Sequence, residues 1–164
     1  LFQIKAIKER INSMIFLIIF ISIIILDQWT KKLAEKNLKS GESRPILNNI
    51  MRLTLHKNKG AALNLFENHT GFIKIVTAPT ILFAIIYLLK IIKNKGFTLT
   101  KIAIAFIAGG GAGNLIDRIK KGYVVDFFYF NFKKCPIFNI ADLFIIFGAI
   151  LLQFLLLFKK TPID

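Results

Sequence analysis

The sequence predicts an all-α membrane protein: a four-helix transmembrane bundle with a small extracytoplasmic β-sheet and a short surface helix, forming one domain over residues 1–164. Three observations carry this. Hydrophobic residues make up 55% of the chain, with 17 Phe, and the mean hydropathy is +0.61; a soluble domain of this length would leave much of that surface in water. The apolar residues gather in four long blocks, as bilayer spans require. Lys and Arg flank the blocks, so the net charge of +14 reads as attraction to anionic lipid headgroups, not as a nucleic-acid footprint.

The first block, about 12–28, is apolar from Met14 to Leu26 apart from Ser22, and then meets "DQWTKK". No small-residue cleavage site follows, so a retained span is expected and not a signal peptide. A helix of that apolar length covers about 20 Å, against a hydrocarbon core of about 30 Å. Asp27 is therefore expected at, or just inside, the membrane boundary. In the long connection, about 29–71, "PILNN" and "IMRLTLH" predict a hairpin around an Asn-Asn turn. "GAALNLFEN" predicts a short amphipathic helix on the membrane surface.

The second block, about 72–92, and the third, about 102–117, are joined by the basic "KNKGFTLTK". "AGGGAG", Ala108 to Gly113, predicts close helix approach; it lacks the Lys-Ser/Thr of a phosphate loop. In the connection of about 118–139, "YVVDFFYFNF" predicts a strand. The fourth block, about 140–158, opens with "NIADLFIIFG".

Four alternating spans bring the C-ends of the first and third and the N-ends of the second and fourth to one side. Asp27, Asn58, Asn114, Asp117, Arg118, Asp126, Asn139 and Asp142 all fall there. Boundary ionisable groups are costly, which marks that side as the functional candidate. Net charge is equal on the two sides, but basic residues are denser on the other. That favours cytoplasmic termini and an extracytoplasmic acidic cluster.

Asn114, Asp117 and Arg118 share one helix face, either pinning the span to its neighbours or serving chemistry. Asp142 at a helix start either favours the dipole and caps free N–H groups or forms half of a catalytic site. Asp126, between apolar neighbours, is its possible partner. Two aspartates sharing a proton can activate a water and donate to a scissile carbonyl. Other nucleophilic arrangements are poorer. His56 and His69 lie in the first connection, Ser40 and Ser43 offer only a conceivable Ser–Lys pair, and Cys135 reads as a space-filler. No His/Cys spacing suggests a metal, and a single cysteine rules out an intrachain disulfide.

"DQWTK", "NKGAA", "GAGNLIDR", "GYVVDF" and "PIFNIAD", in that order over nearly the whole chain, resemble the lipoprotein signal peptidases, the type II signal peptidases of bacteria. The resemblance implies an inner-membrane aspartyl protease that cleaves diacylglyceryl-modified prolipoproteins just before the lipidated cysteine. It implies Asp126 and Asp142 as the catalytic dyad. Asp27, Lys31, Asn58, Gly60, Asn114, Asp117, Arg118, Asn139 and Ala141 would line or support the site. It further implies a β-cradle with a mobile surface helix, inhibition by globomycin, no cofactor and no metal. A monomer is expected. Three positions depart from the family pattern: Cys135 before the Pro of the last motif, and Leu63 and Asn64 after "GAA". Arg118 or Lys31 would hold the substrate, unless Lys31 only snorkels and Arg118 only pairs with Asp117. Two other classes compete: a non-enzymatic four-span protein that binds lipid or a partner helix, and a proton-coupled transporter. Against the transporter, the acids crowd one face and form no relay across the membrane.

Overall fold

A computed structural model describes residues 2–39, 41–60, 70–94, 96–131 and 135–158, with 2–12 and 70–74 as backbone only. The surface helix expected over "GAALNLFEN", and with it Leu63 and Asn64, lies almost wholly outside these residues. Four helices and three strands follow in the order α1 (Phe2–Asn37), β1 (Ser43–Ile46), β2 (Met51–Asn58), α2 (Thr70–Ile91), α3 (Thr98–Lys120), β3 (Val124–Phe130) and α4 (Ile140–Phe158). Among the described residues, three stretches are long and apolar enough to cross a membrane: Ser13–Asn37, Thr98–Lys120 and Ile140–Phe158. α2, of 22 residues, carries the apolar stretch Ile75–Ile91 among its described side chains. Ile18, Phe83 and Phe154 are each more than half exposed, the outward apolar surface that lipid would cover.

α1 does not stop where its apolar block stops. It continues through "DQWTKKLAEKN" to Asn37, because that stretch holds no Gly or Pro and is rich in good helix formers. The extension rises beyond the apolar block and packs on the sheet, where Ala34 and Leu38 form a buried cluster with Val125 and Phe127.

The hairpin forms as expected. Ile46 pairs with Met51, and Leu47, Asn48 and Asn49 take positive φ between them. Asn tolerates that region well. The antiparallel sheet has the order β1-β2-β3. Leu53 pairs with Phe128 and His56 with Asp126, so Thr54 and Leu55 stand against Phe127 alone. This is a β-bulge, which kinks a strand and re-aims its side chains.

α3 is central and packs on α1, α2 and α4. The glycines of "AGGGAG" explain how. A Cβ on Gly109 would meet α1 at Ile23 and Phe20, and one on Gly111 would meet α2 at Ile81. One on Gly110 would overlap the Ala141 carbonyl of α4, and one on Gly113 would fall 2.5 Å from the Asp27 carboxylate. Small residues here let three helices approach one backbone. At the far end, Phe16, Leu88, Ile91, Ile92, Ile104 and Ala105 form a second buried cluster.

Candidate active site

Asn139 ends the β3–α4 connection and caps α4. Its Oδ1 accepts from the Asp142 backbone N–H at 3.0 Å, while its own N–H donates to Asp142 Oδ2 at 3.1 Å. This is a reciprocal capping box, with Asp142 three residues into the turn. The Asn139 amide then reaches sideways, donating to Asp126 Oδ1 at 2.6 Å and to Asn114 Oδ1 at 3.1 Å. One side chain thus touches both aspartates. Asp142 Oδ1 accepts from the Asn114 amide at 2.8 Å. Asp126 Oδ2 accepts from the Asn58 amide at 2.9 Å.

Behind this pair lies a buried ionic layer. Lys31 is 1% exposed. It sits 2.8 Å from Asp27 one helical turn earlier and 3.1 Å from Asp117 on α3, and it donates to Asn114 Oδ1 at 2.9 Å. All three lysine donors are engaged, as a buried charge requires. Asp27 Oδ1 accepts from the Ala141 N–H at 3.1 Å, so α1 supplies a second carboxylate to the start of α4. Asp117 Oδ2 accepts from the Val125 N–H at 3.2 Å, tying the C-end of α3 to the strand residue before Asp126. Lys121 bridges Asp117 at 3.3 Å and Glu35 at 2.8 Å.

Arg118 differs from Lys31. Its Nη2 donates to the Gly60 carbonyl at 3.2 Å, and its buried Nε has no partner among the described residues. Gly60 is placed by its N–H donating to Asn58 Oδ1 at 2.9 Å, a side-chain turn that also aims the Asn58 amide at Asp126.

A cavity of about 270 Å³ opens onto this constellation. Asp126, Asp142, Asn58, Asn114 and Arg118 form its polar wall, and Val124, Pro136, Phe138, Ile145 and Ile146 form the apolar one. A buried carboxylate beside a half-buried one resists ionisation. Burial first, and then the neighbouring charge of Asp142, push Asp126 from 3.8 up to about 7, against the amides of Asn58 and Asn139. Asp142 sits at a helix N-terminus and accepts two hydrogen bonds, from the Asn114 amide and the Asn139 N–H. Such a pair can take a proton at one member and give one at the other. Among the described residues, no three His, Cys, Asp or Glu side chains gather to hold a metal ion.

The residues singled out in the sequence form one connected network, in two tiers. Asn58, Asn114, Arg118, Asp126 and Asp142 face the cavity. Asp27, Lys31, Asp117, Asn139 and Ala141 stand behind them, and Gly60 is bound to both Asn58 and Arg118. Sequence reasoning passed over Gln28, whose amide joins Asp27, Asp117 and the Gly113 carbonyl. It also passed over Ile145 and Ile146, although both lie one turn beyond Asp142 on the same helix face.

The signal peptidase (SPase) II family model matches residues 19–158. The lipoprotein signal peptidase of Caldanaerobacter subterraneus is 40% identical over 143 residues, covering 87% of this chain and 96% of that one. That of Halalkalibacterium halodurans is 42% identical over 134 residues, covering 79% and 83%. Among solved structures, a bacterial membrane enzyme determined by the in meso method at 2.3 Å resolution aligns with a TM-score of 0.76 at 30% identity, covering 91% of this chain and 94% of that one.

Proposed function

The chain belongs to the signal peptidase II family of proteases, and from that premise we propose that it is an intramembrane aspartyl endopeptidase removing signal peptides from diacylglyceryl-modified prolipoproteins, with Asp126 and Asp142 as the catalytic dyad. The observation that carries the reading is the pair itself: two carboxylates in unlike surroundings, joined through Asn139 and open to one cavity.

With Asp126 pushed up to about 7, the active form of the pair has one proton, on Asp126. Asp142 takes a proton from a water held between the carboxylates, and that water attacks the scissile carbonyl carbon. Asp126 gives its proton to the carbonyl oxygen, so the tetrahedral intermediate forms without a separated charge. Asp142 then returns its proton to the leaving amine as the C–N bond breaks, and one intermediate hydroxyl restores the proton of Asp126. Arg118, with a buried donor that has no partner among the described residues, binds substrate carbonyl or ester oxygens beside the dyad. Lys31 is a positioning residue, since its donors are consumed within the protein.

α2 is the fourth span, the termini are cytoplasmic, and the dyad lies at the extracytoplasmic boundary of a bacterial inner membrane. A cysteine carrying two acyl chains reaches that depth from within the bilayer, past the apolar wall of Ile145 and Ile146. The protein acts as a monomer, and globomycin occupies the same cavity.

The test is cleavage of a lipidated prolipoprotein by Asp126→Asn and Asp142→Asn. Each loses at least about 100-fold in rate, the lower bound for removing one general acid or base, while its thermal unfolding in detergent stays near that of the wild type. Cleavage at the wild-type rate by either variant overturns the dyad.

A further inference from the structure

A second cavity, of about 360 Å³, lies between α1, the α2–α3 connection and the start of α3. On α3, Lys101 on its wall precedes Asn114 of the dyad cavity by about 20 Å of helix, so the two open at opposite ends of the bundle. Lys101 is 4% exposed. Its Nζ donates to the Asn94 carbonyl at 2.5 Å and lies 5.3 Å from the centre of the Phe16 ring. No carboxylate lies within ion-pair distance of it among the described residues. Among the described residues this buried ammonium has only a carbonyl and a ring against it, and no counter-charge.

The surroundings suit an anion with a greasy tail. Lys93 adds a second cation on the exposed rim. Thr98 opens α3, whose cap residue Phe97 gives no side-chain hydrogen bond, so first-turn N–H groups lack a side-chain cap at the positive end of the helix dipole. Phe16, Ile19 and Ile102 make the rest of the wall apolar. Basic pockets between spans are where charged lipid headgroups bind.

We propose that this cavity binds the phosphate of an anionic phospholipid, paired with Lys101 and Lys93, with the acyl chains lying along the apolar wall. This goes beyond the peptidase reading and does not depend on it. The probes are phosphatidylglycerol, phosphatidylcholine and inorganic phosphate, each titrated into the full-length protein in neutral detergent and followed by native mass spectrometry and thermal unfolding. Phosphatidylglycerol is retained and raises the unfolding temperature, phosphatidylcholine binds about tenfold or more weakly, and inorganic phosphate gives no shift. Lys101→Gln weakens phosphatidylglycerol about tenfold or more, as loss of one charge-assisted hydrogen bond requires. Should Lys101→Gln fail to fold, Lys93→Gln on the exposed rim carries the test, with binding reduced about threefold or more by the missing charge. Binding of phosphatidylglycerol unchanged by these substitutions overturns the proposal. Equal binding of inorganic phosphate overturns the lipid assignment. Cleavage is not part of the readout, so failure of the dyad assignment leaves this result standing.

Discussion

Asp142 is both a capping residue and a wall of the cavity, and the two roles share a cause. The helix start that Asp142 caps also holds it, through Asn139, against Asp126. Burial first, and then the neighbouring Asp142, raise Asp126 to about 7. Two pH effects follow. The folded chain binds the Asp126 proton more tightly than an unfolded one with a value of 3.8, so this group's contribution to stability is full below about pH 4 and is lost as pH rises through about 7. Thermal unfolding in detergent between pH 4 and 8 should show that decline, and Asp126→Asn should flatten it. The rate constant kcat/KM should fall as pH rises above about 7, because the pair then loses its one proton. At this scale the sequence reads well for the acids, which interrupt apolar runs at a boundary. It reads poorly for the cations. Lys31 and Arg118 both sit near an aspartate, and nothing in the chain order reveals that Lys31 is enclosed by Asp27, Asp117 and Asn114 while Arg118 faces the cavity.

At the scale of the element, the glycine run and the bulge place the aspartates. Gly110 allows α4 to start against α3, with the Ala141 carbonyl where a Cβ would stand and Ile145 2.9 Å from it. Gly110→Ala should therefore push the first turn of α4 away from α3 and lengthen the Asn114–Asp142 hydrogen bond. Overpacking of this kind costs about 1–3 kcal/mol. The expected result is a lower unfolding temperature together with a fall in cleavage rate, seen in parallel melting and turnover assays. Full activity in the variant would mean that this approach does not position Asp142. Close approach is legible in "AGGGAG", since small residues in a span have few other uses. The directions are not, because successive glycines face three different helices. The bulge at Thr54 and Leu55 has no sequence mark: neither residue is Gly or Pro, and the strand pattern runs through it. The end of α1 was also hidden from hydropathy. Helix propensity, not apolar content, carries it past Asp27.

At the scale of the whole molecule, the sheet fixes how the chain must run. β2 and β3 pair side by side, so the connection after α1 and the connection after α3 lie at one end. α3 begins at the other end, where Ile104 and Ala105 cluster with Phe16 of α1 and with Leu88 and Ile91 of α2. The chain leaves β2 at the sheet end and must enter α3 at the far end, and among the described residues α2 is the only helix between them. This path supports the proposal that α2 makes the fourth traverse. Its 22 residues, Thr70–Ile91, rise about 33 Å, enough for a hydrocarbon core of about 30 Å. Single cysteines in a Cys135→Ser background can test this path. Asn48→Cys, at the exposed hairpin tip, should react with a membrane-impermeant maleimide in intact cells whose outer barrier has been opened. Lys93→Cys, at the far end, should react only after lysis. Equal reaction of both before lysis would place the two ends on one side and remove α2 from the membrane. The opposite pattern would keep four spans and invert them, turning the aspartates to the cytoplasm.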